Sequence, residues 1–165
     1  MQSISNIEIK RPIWQTIAIV VLGFWLSASL ILDWVIMPTL YISGMMTESG
    51  FATAGYLIFW NFNRIELLSA AVVLTSFLVL TKTKQMTAIR RNSLAIILAV
   101  ILLAVPAIYT YFLSPQMCAT GINLNLFANS TEIPATMNIL HGGYWVLEAI
   151  KLIVGGTLLG WCWKQ

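Results

Sequence analysis

The chain has 165 residues, 59% of them hydrophobic and 9% charged, with a net charge of +3. A soluble domain carries roughly 25% charged residues, so a water-soluble fold of this composition would lack the polar surface to cover itself. Seven of the nine Lys and Arg residues stand at the ends of apolar blocks and form no stripe, which argues against a nucleic-acid partner and leaves the charge to report on topology.

Four apolar blocks are each long enough to cross a bilayer, which takes about 20 helical residues. They predict an all-α membrane protein, a four-helix transmembrane bundle formed by one domain over 1–165. The first block covers about 13–41, with Pro38 near its far end. Lys10 and Arg11 ahead of this run, and Ser27-Ala28-Ser29 within it, resemble a signal peptide. The apolar run continues through Leu30, Ile31 and Leu32, however, which predicts a retained span. The second block covers about 51–80. Its first half carries Asn61, Asn63, Arg64 and Glu66, and its second half is apolar apart from Ser69, Thr75 and Ser76. The third, about 93–113, contains Pro106, which can bend a helix where a neighbouring group satisfies the freed carbonyl. The following stretch, about 114–137, holds Pro115, Gly121 and Pro134 and reads as irregular structure or a short surface helix. The fourth block covers about 138–163.

Lys10, Arg11, Lys82, Lys84, Arg90, Arg91 and Lys164 all fall at the N-terminus, in the second loop or at the C-terminus. The first and third loops contain no Lys or Arg. By the positive-inside rule both termini face the cytoplasm, N-in/C-in, and Trp14, Trp161 and Trp163 mark the inner interface. Cys118 and Cys162 then lie at opposite faces of the membrane, too far apart for a disulfide. Asn129-Ser130-Thr131 matches a glycosylation pattern too short to carry weight.

Ionisable groups within spans cost about 2.5–3.5 kcal/mol each at the centre of a helix facing lipid, so they are expected to face inward and pair. Residue counting places Asp33, Arg64 and His141 at similar depth near the outer end, with Arg64 as the hub of an Asp33 ion pair. Glu148 and Lys151, three residues apart on the fourth helix, form a second pair, and His141 shares their face. These five residues are the candidates for a ligand or ion pathway. The same pairs also suit a purely structural role in fixing helix register.

Five methionines, Met37, Met45, Met46, Met117 and Met137, fall at or near the outer face. With His141, the residues Met137, Met117 and Cys118 make a soft donor set of the kind that suits Cu(I), although Met also fills apolar interfaces. Gly156-x-x-x-Gly160, with Gly155 beside it, offers a flat patch for helix contact within the bundle or with a second copy. Phosphate-cradling loops, H-E-x-x-H, G-x-S-x-G and paired C-x-x-C patterns are absent from the sequence, which favours a non-enzymatic protein.

Three segments carry a family resemblance: Phe24-Trp25-Leu26-Ser27-Ala28-Ser29 running to Met37-Pro38-Thr39-Leu40, Ala54-Gly55 through Phe62-Asn63-Arg64, and Ile139-Leu140-His141-Gly142-Gly143 with the helix that follows. On these the chain resembles the transmembrane protein 205-like family of four-helix membrane proteins, a group largely without assigned function. Its layout is also similar to bacterial copper-resistance D membrane proteins and, more distantly, to haem-binding four-helix protoporphyrinogen oxidases. That likeness implies copper or haem as cofactor through a helix-borne histidine comparable to His141, while the further histidines of such sites have no counterpart here.

The leading expectation is an accessory or assembly partner of other membrane proteins, in a bacterial inner membrane or comparable energy-transducing membrane. The alternative is a small transporter or a copper- or haem-binding module, with an outward-opening polar site lined by Asp33, Arg64, His141 and Glu148. The expected partners are the lipid bilayer, other membrane proteins, and a second copy through Gly156 and Gly160.

Overall fold

Pro12 starts the first helix: its carbonyl accepts the N–H groups of Gln15 (3.0 Å) and Thr16 (3.2 Å). The structure, a computed structural model, describes residues 11–45, 48, 50–83, 89–127 and 135–164. Lys10, Lys84, Met46 and the Asn129-Ser130-Thr131 tripeptide lie outside the described residues. Among those described, regular structure is entirely helical. The first span comprises α1 (Ile13–Ile31), a π-helical turn (Leu32–Ile36) and α2 (Met37–Ile42). It ends at Gly44, whose φ of +73° is the left-handed conformation that glycine adopts without strain. The second span is α3 (Phe51–Lys82). The third comprises α4 (Ile89–Ile108), a second π-helical turn (Tyr109–Leu113) and α5 (Ser114–Phe127), and the fourth is α6 (Ala135–Trp163).

Four stretches, Ile13–Ile42, Thr53–Lys82, Ser93–Gly121 and Ala135–Trp163, are long and apolar enough to cross a membrane. This makes the chain an all-α, four-helix, multi-pass membrane protein. At 1.5 Å per residue a 30-residue helix is about 45 Å long, more than the roughly 30 Å hydrocarbon core, so the helices tilt or reach into the headgroup zone.

The third helix extends past about residue 113, where the sequence reads as irregular structure or a short surface helix. It runs on to Phe127 because Pro115 falls just after a π turn, where the Ser114 N–H donates five residues back to the Tyr109 carbonyl. The wider turn accommodates a residue that would break a regular α-helix. Pro38 is treated in the same way. The Met37 N–H donates to the Leu32 carbonyl, and the π turn again ends two residues before the proline.

The helices stand in a square. Helix α1 packs against α3 and α6, and α4 packs against the same two, while the diagonal pairs α1/α4 and α3/α6 make no close backbone approach. Helices α1, α3, α4 and α6 all place the ends that neighbour Arg11, Lys82, Ile89 and Lys164 on one side, called here the basic end. In that half Ala18, Leu22, Trp25, Val73, Phe77, Ala95, Ala99, Leu102 and Leu158 form one dense core. Alanines at 18, 70, 95 and 99 let the backbones approach, as close packing in a membrane demands. Gly155 does the same between α6 and α1: a Cβ there would stand 2.8 Å from Leu26 Cδ2. At the opposite end the segment Leu32–Ile42 approaches no backbone outside its own helix among the described residues, and Trp34, Tyr41 and Ile42 are exposed.

Candidate functional site

Where the backbones of the diagonal helices stay apart, long polar side chains fill the axis of the bundle. Lys151 on α6 is 1% exposed and lies at its centre. Its ammonium contacts Glu66 Oε1 on α3 at 2.5 Å and Glu148 Oε2, one turn back on α6, at 2.6 Å. Glu66 Oε1 also accepts hydrogen bonds from Trp25 Nε1 (2.8 Å) and Ser29 Oγ (3.0 Å) on α1. On the other side of the lysine, Tyr109 donates from its hydroxyl to Glu148 Oε2 (3.2 Å) and to the Tyr144 carbonyl (3.3 Å). The Tyr144 hydroxyl donates to Asp33 Oδ1 at 2.6 Å. The two tyrosine rings stack with centroids 4.9 Å apart.

Helical periodicity explains why these residues converge. Trp25, Ser29 and Asp33 recur at intervals of four, and Tyr144, Glu148 and Lys151 at intervals of four and three, so each set lies on one helix face. Both π turns belong to the site as well, since one carries Asp33 and the other Tyr109. A π turn rotates the residues that follow it relative to a regular helix and is frequent at functional sites.

The centre is acidic in balance. Three buried carboxyls, Asp33, Glu66 and Glu148, share one ammonium, and each is 3% exposed or less. Two of their oxygens, Asp33 Oδ2 and Glu148 Oε1, are buried without a hydrogen-bond partner. Buried polar atoms are almost always satisfied, and an orphan costs about 1–3 kcal/mol or more when charged.

The five residues expected to line a pathway divide. Asp33, Glu148 and Lys151 come together in the centre, and the Glu148–Lys151 pair is formed. Arg64 does not join them. It is exposed on α3 with its guanidinium 3.9 Å from the centre of the Trp60 ring, so the hub role expected of it is corrected. Arg64 stands two residues before Glu66, about 200° around the helix, and the two must face opposite ways. The inward face at that level belongs instead to Asn63, which donates to Ser114 Oγ at 2.8 Å. Asp33 consequently takes its hydrogen bond from Tyr144. His141 shares the face of Glu148 but lies seven residues away along α6, about 10 Å. It is half-buried, and its Nδ1 is 2.9 Å from the Met137 carbonyl of its own helix.

The soft donor residues lie on the third and fourth spans, Met117 and Cys118 on α5 and Met137 and His141 on α6. Met117, Cys118 and Met137 are half-buried, and no group of three or more His, Cys, Asp and Glu among the described residues is placed to hold a metal. The chain has a single histidine, which cannot supply paired axial imidazoles, and its one hydrogen-bonded nitrogen faces a carbonyl. The glycine patch also divides: Gly155 makes the contact within the bundle, whereas Gly156 and Gly160 have open space above them. They line a groove of about 550 Å³ with Ile19, Gly23, Leu159, Trp163 and Lys164.

Glu66, Trp25, Ser29, Tyr109 and Tyr144 complete the site; counting charges misses the four neutral side chains, and counting depth misses the inward facing of Glu66. The four-residue spacing from Trp25 to Asp33 and the depth of Glu66, which requires a cation other than the outward-facing Arg64, were the available signals. The fold and site together define a membrane-spanning four-helix bundle with a buried carboxylate–lysine centre. No family model, curated protein or solved structure matches the chain.

Proposed function

We propose that the protein is a non-enzymatic carrier, a small permease-like module that takes up and releases a small cation at the centre formed by Asp33, Glu66, Glu148 and Lys151. One observation carries this reading: the centre holds three carboxyls for one lysine and leaves two carboxylate oxygens without a donor. An ion pair that only fixed helix register would need one carboxylate per ammonium. Intramembrane carboxyls in excess mark ion and proton paths in transporters, and such sites lie near the middle of the bilayer beside broken helices, as the two π turns are here. The charge asymmetry of the loops supports both termini in the cytoplasm, and a bacterial inner membrane or comparable energy-transducing membrane is the proposed location. Kinship with the transmembrane protein 205-like family is likewise proposed, on the three segments that carry the likeness.

The test is flux. Purified protein in lipid vesicles is expected to dissipate an imposed gradient of one small cation faster than empty vesicles, and Glu148→Gln is expected to abolish that flux while the variant stays monodisperse and helical. Rates equal to those of empty vesicles for protons, sodium and potassium alike would overturn the reading. A second reading, an accessory or assembly partner of other membrane proteins, is supported by Arg64. A guanidinium on the lipid-facing side of α3, over a tryptophan rather than beside a carboxylate, suits an acidic residue on a neighbouring helix. A photocrosslinker at the exposed position Asn61 would capture a defined membrane protein in that case, and lipid alone otherwise.

A further inference from the structure

The two orphan oxygens belong to two carboxyl groups that are neighbours. The side chains of Asp33 and Glu148 lie within hydrogen-bonding reach of one another, and among the described residues Asp33 Oδ2 and Glu148 Oε1 are the buried side-chain oxygens that lack a donor. Two ionised carboxyls in contact repel, and neither offers a hydrogen to the other. A single hydrogen between them removes both deficits, as in carboxyl pairs that share one proton.

We propose that one proton is shared between Asp33 and Glu148 and that this proton is the cation which the centre loads and releases. Naming it as the transported ion rests on the carrier reading above. The surroundings select a proton over a metal ion. A calcium ion requires six to eight oxygen ligands, but the other groups at this pair are donors: Tyr144 hydroxyl on Asp33, and Tyr109 hydroxyl and Lys151 ammonium on Glu148. Their hydrogens point at the carboxylates and would repel a metal. A proton needs only the two free oxygens. Loading breaks one O–H bond of a hydronium ion, forms one carboxyl O–H and returns a water molecule, and release reverses the step with water as the acceptor.

The charged and titratable groups that face the pair come from all four spans. Glu66 reaches in from α3, Tyr109 from the third span, and Tyr144 and Lys151 from α6, while Asp33 itself stands on the first. Glu66 is bound to Lys151 and screened by Trp25 and Ser29. Its charge therefore cancels that of the lysine, and the Asp33–Glu148 pair is left to change charge.

Infrared difference spectroscopy of the purified protein reads this directly, because the chain has only six acidic residues. At pH 7 the wild type is expected to show one protonated-carboxyl C=O band that shifts in heavy water. Asp33→Asn should remove it, since the asparagine amide supplies a donor to Glu148 in place of the proton, and Glu148→Gln should remove it likewise. Absence of the band from the wild type at pH 7 overturns the proposal, and this result needs no variant to fold. A band that survives unchanged in both variants overturns it as well. A band accompanied by no proton movement across vesicles leaves the shared proton standing and removes the carrier reading. Flux of another cation without the band does the reverse.

Discussion

The two halves of this bundle solve the same packing problem by opposite means. Toward the basic end, small and branched apolar side chains close the axis, and the polar groups there are spent locally: Gln15 donates to the Cys162 carbonyl at 2.6 Å and Ser76 to Val72 at 2.8 Å. Toward the other end the axis is held by an ion-paired centre, and beyond it the first span approaches no other backbone among the described residues, Trp34 meeting α6 only through an edge-on contact with Trp145. A membrane helix gains nothing from hiding leucine from lipid, so the first half is held by close contact and the second by charge. The difference teaches that the apolar half sets the architecture and the polar half is where a small change in protonation or contact would be felt.

Removing the hub should have the largest effect. Lys151→Met leaves Glu66 and Glu148 buried without a cation, and breaking a buried pair costs about 3–5 kcal/mol. Unfolding in mixed detergent micelles is expected to show a loss of this size, with part of it recovered by Glu66→Gln or by Glu148→Gln. Full stability of Lys151→Met alone would show that the centre contributes nothing to the fold.

Next comes the contact half. Gly155→Val forces side-chain atoms toward Leu26, and overpacking costs about 1–3 kcal/mol. The same change at Gly156, which has open space above it, should leave the monomer's unfolding transition unmoved. Equal losses at the two positions would mean that the groove over Gly156 is closed.

The smallest effect is expected at the surface. Arg64→Ala loses a stacking contact with Trp60 worth about 0.5–1 kcal/mol at an exposed site, well below the cost at Lys151. A loss comparable to Lys151→Met would restore Arg64 to the centre and contradict its exposed position.

Most of the architecture was legible because apolar length is a one-dimensional property: the spans at about 13–41, 51–80 and 138–163 match the observed helices within a turn. The third was cut short at 113 because Pro115 reads as a breaker, and a π turn that absorbs a proline leaves no trace in hydropathy. The site was legible only where partners share a helix. Glu148 and Lys151 are fixed by i, i+3 spacing, but the choice between Arg64 and Glu66 as the inward residue of α3 depends on helix rotation. Depth counting cannot see rotation, and two residues on a helix at nearly equal depth face opposite ways. Neutral hydroxyl and indole donors were missed because a charge inventory does not include them.

The closed apolar half has an electrical consequence. Lys151 stands 12 residues from Trp163 at the end of α6, about 18 Å along the helix axis, so the centre is far from the basic end of the candidate spans and separated from it by dense packing. Under the carrier reading, an ion that reaches the centre from the end opposite the basic one has crossed part of the membrane's electric field without completing a passage. Moving one charge through the whole field is worth about 2.3 kcal/mol per 100 mV. Occupancy of a site reached through about half of it would change by roughly 1 kcal/mol for the same voltage, a several-fold shift in apparent affinity. A carrier centre at this depth is on that reading sensitive to voltage as well as to concentration, with no voltage-sensing helix required.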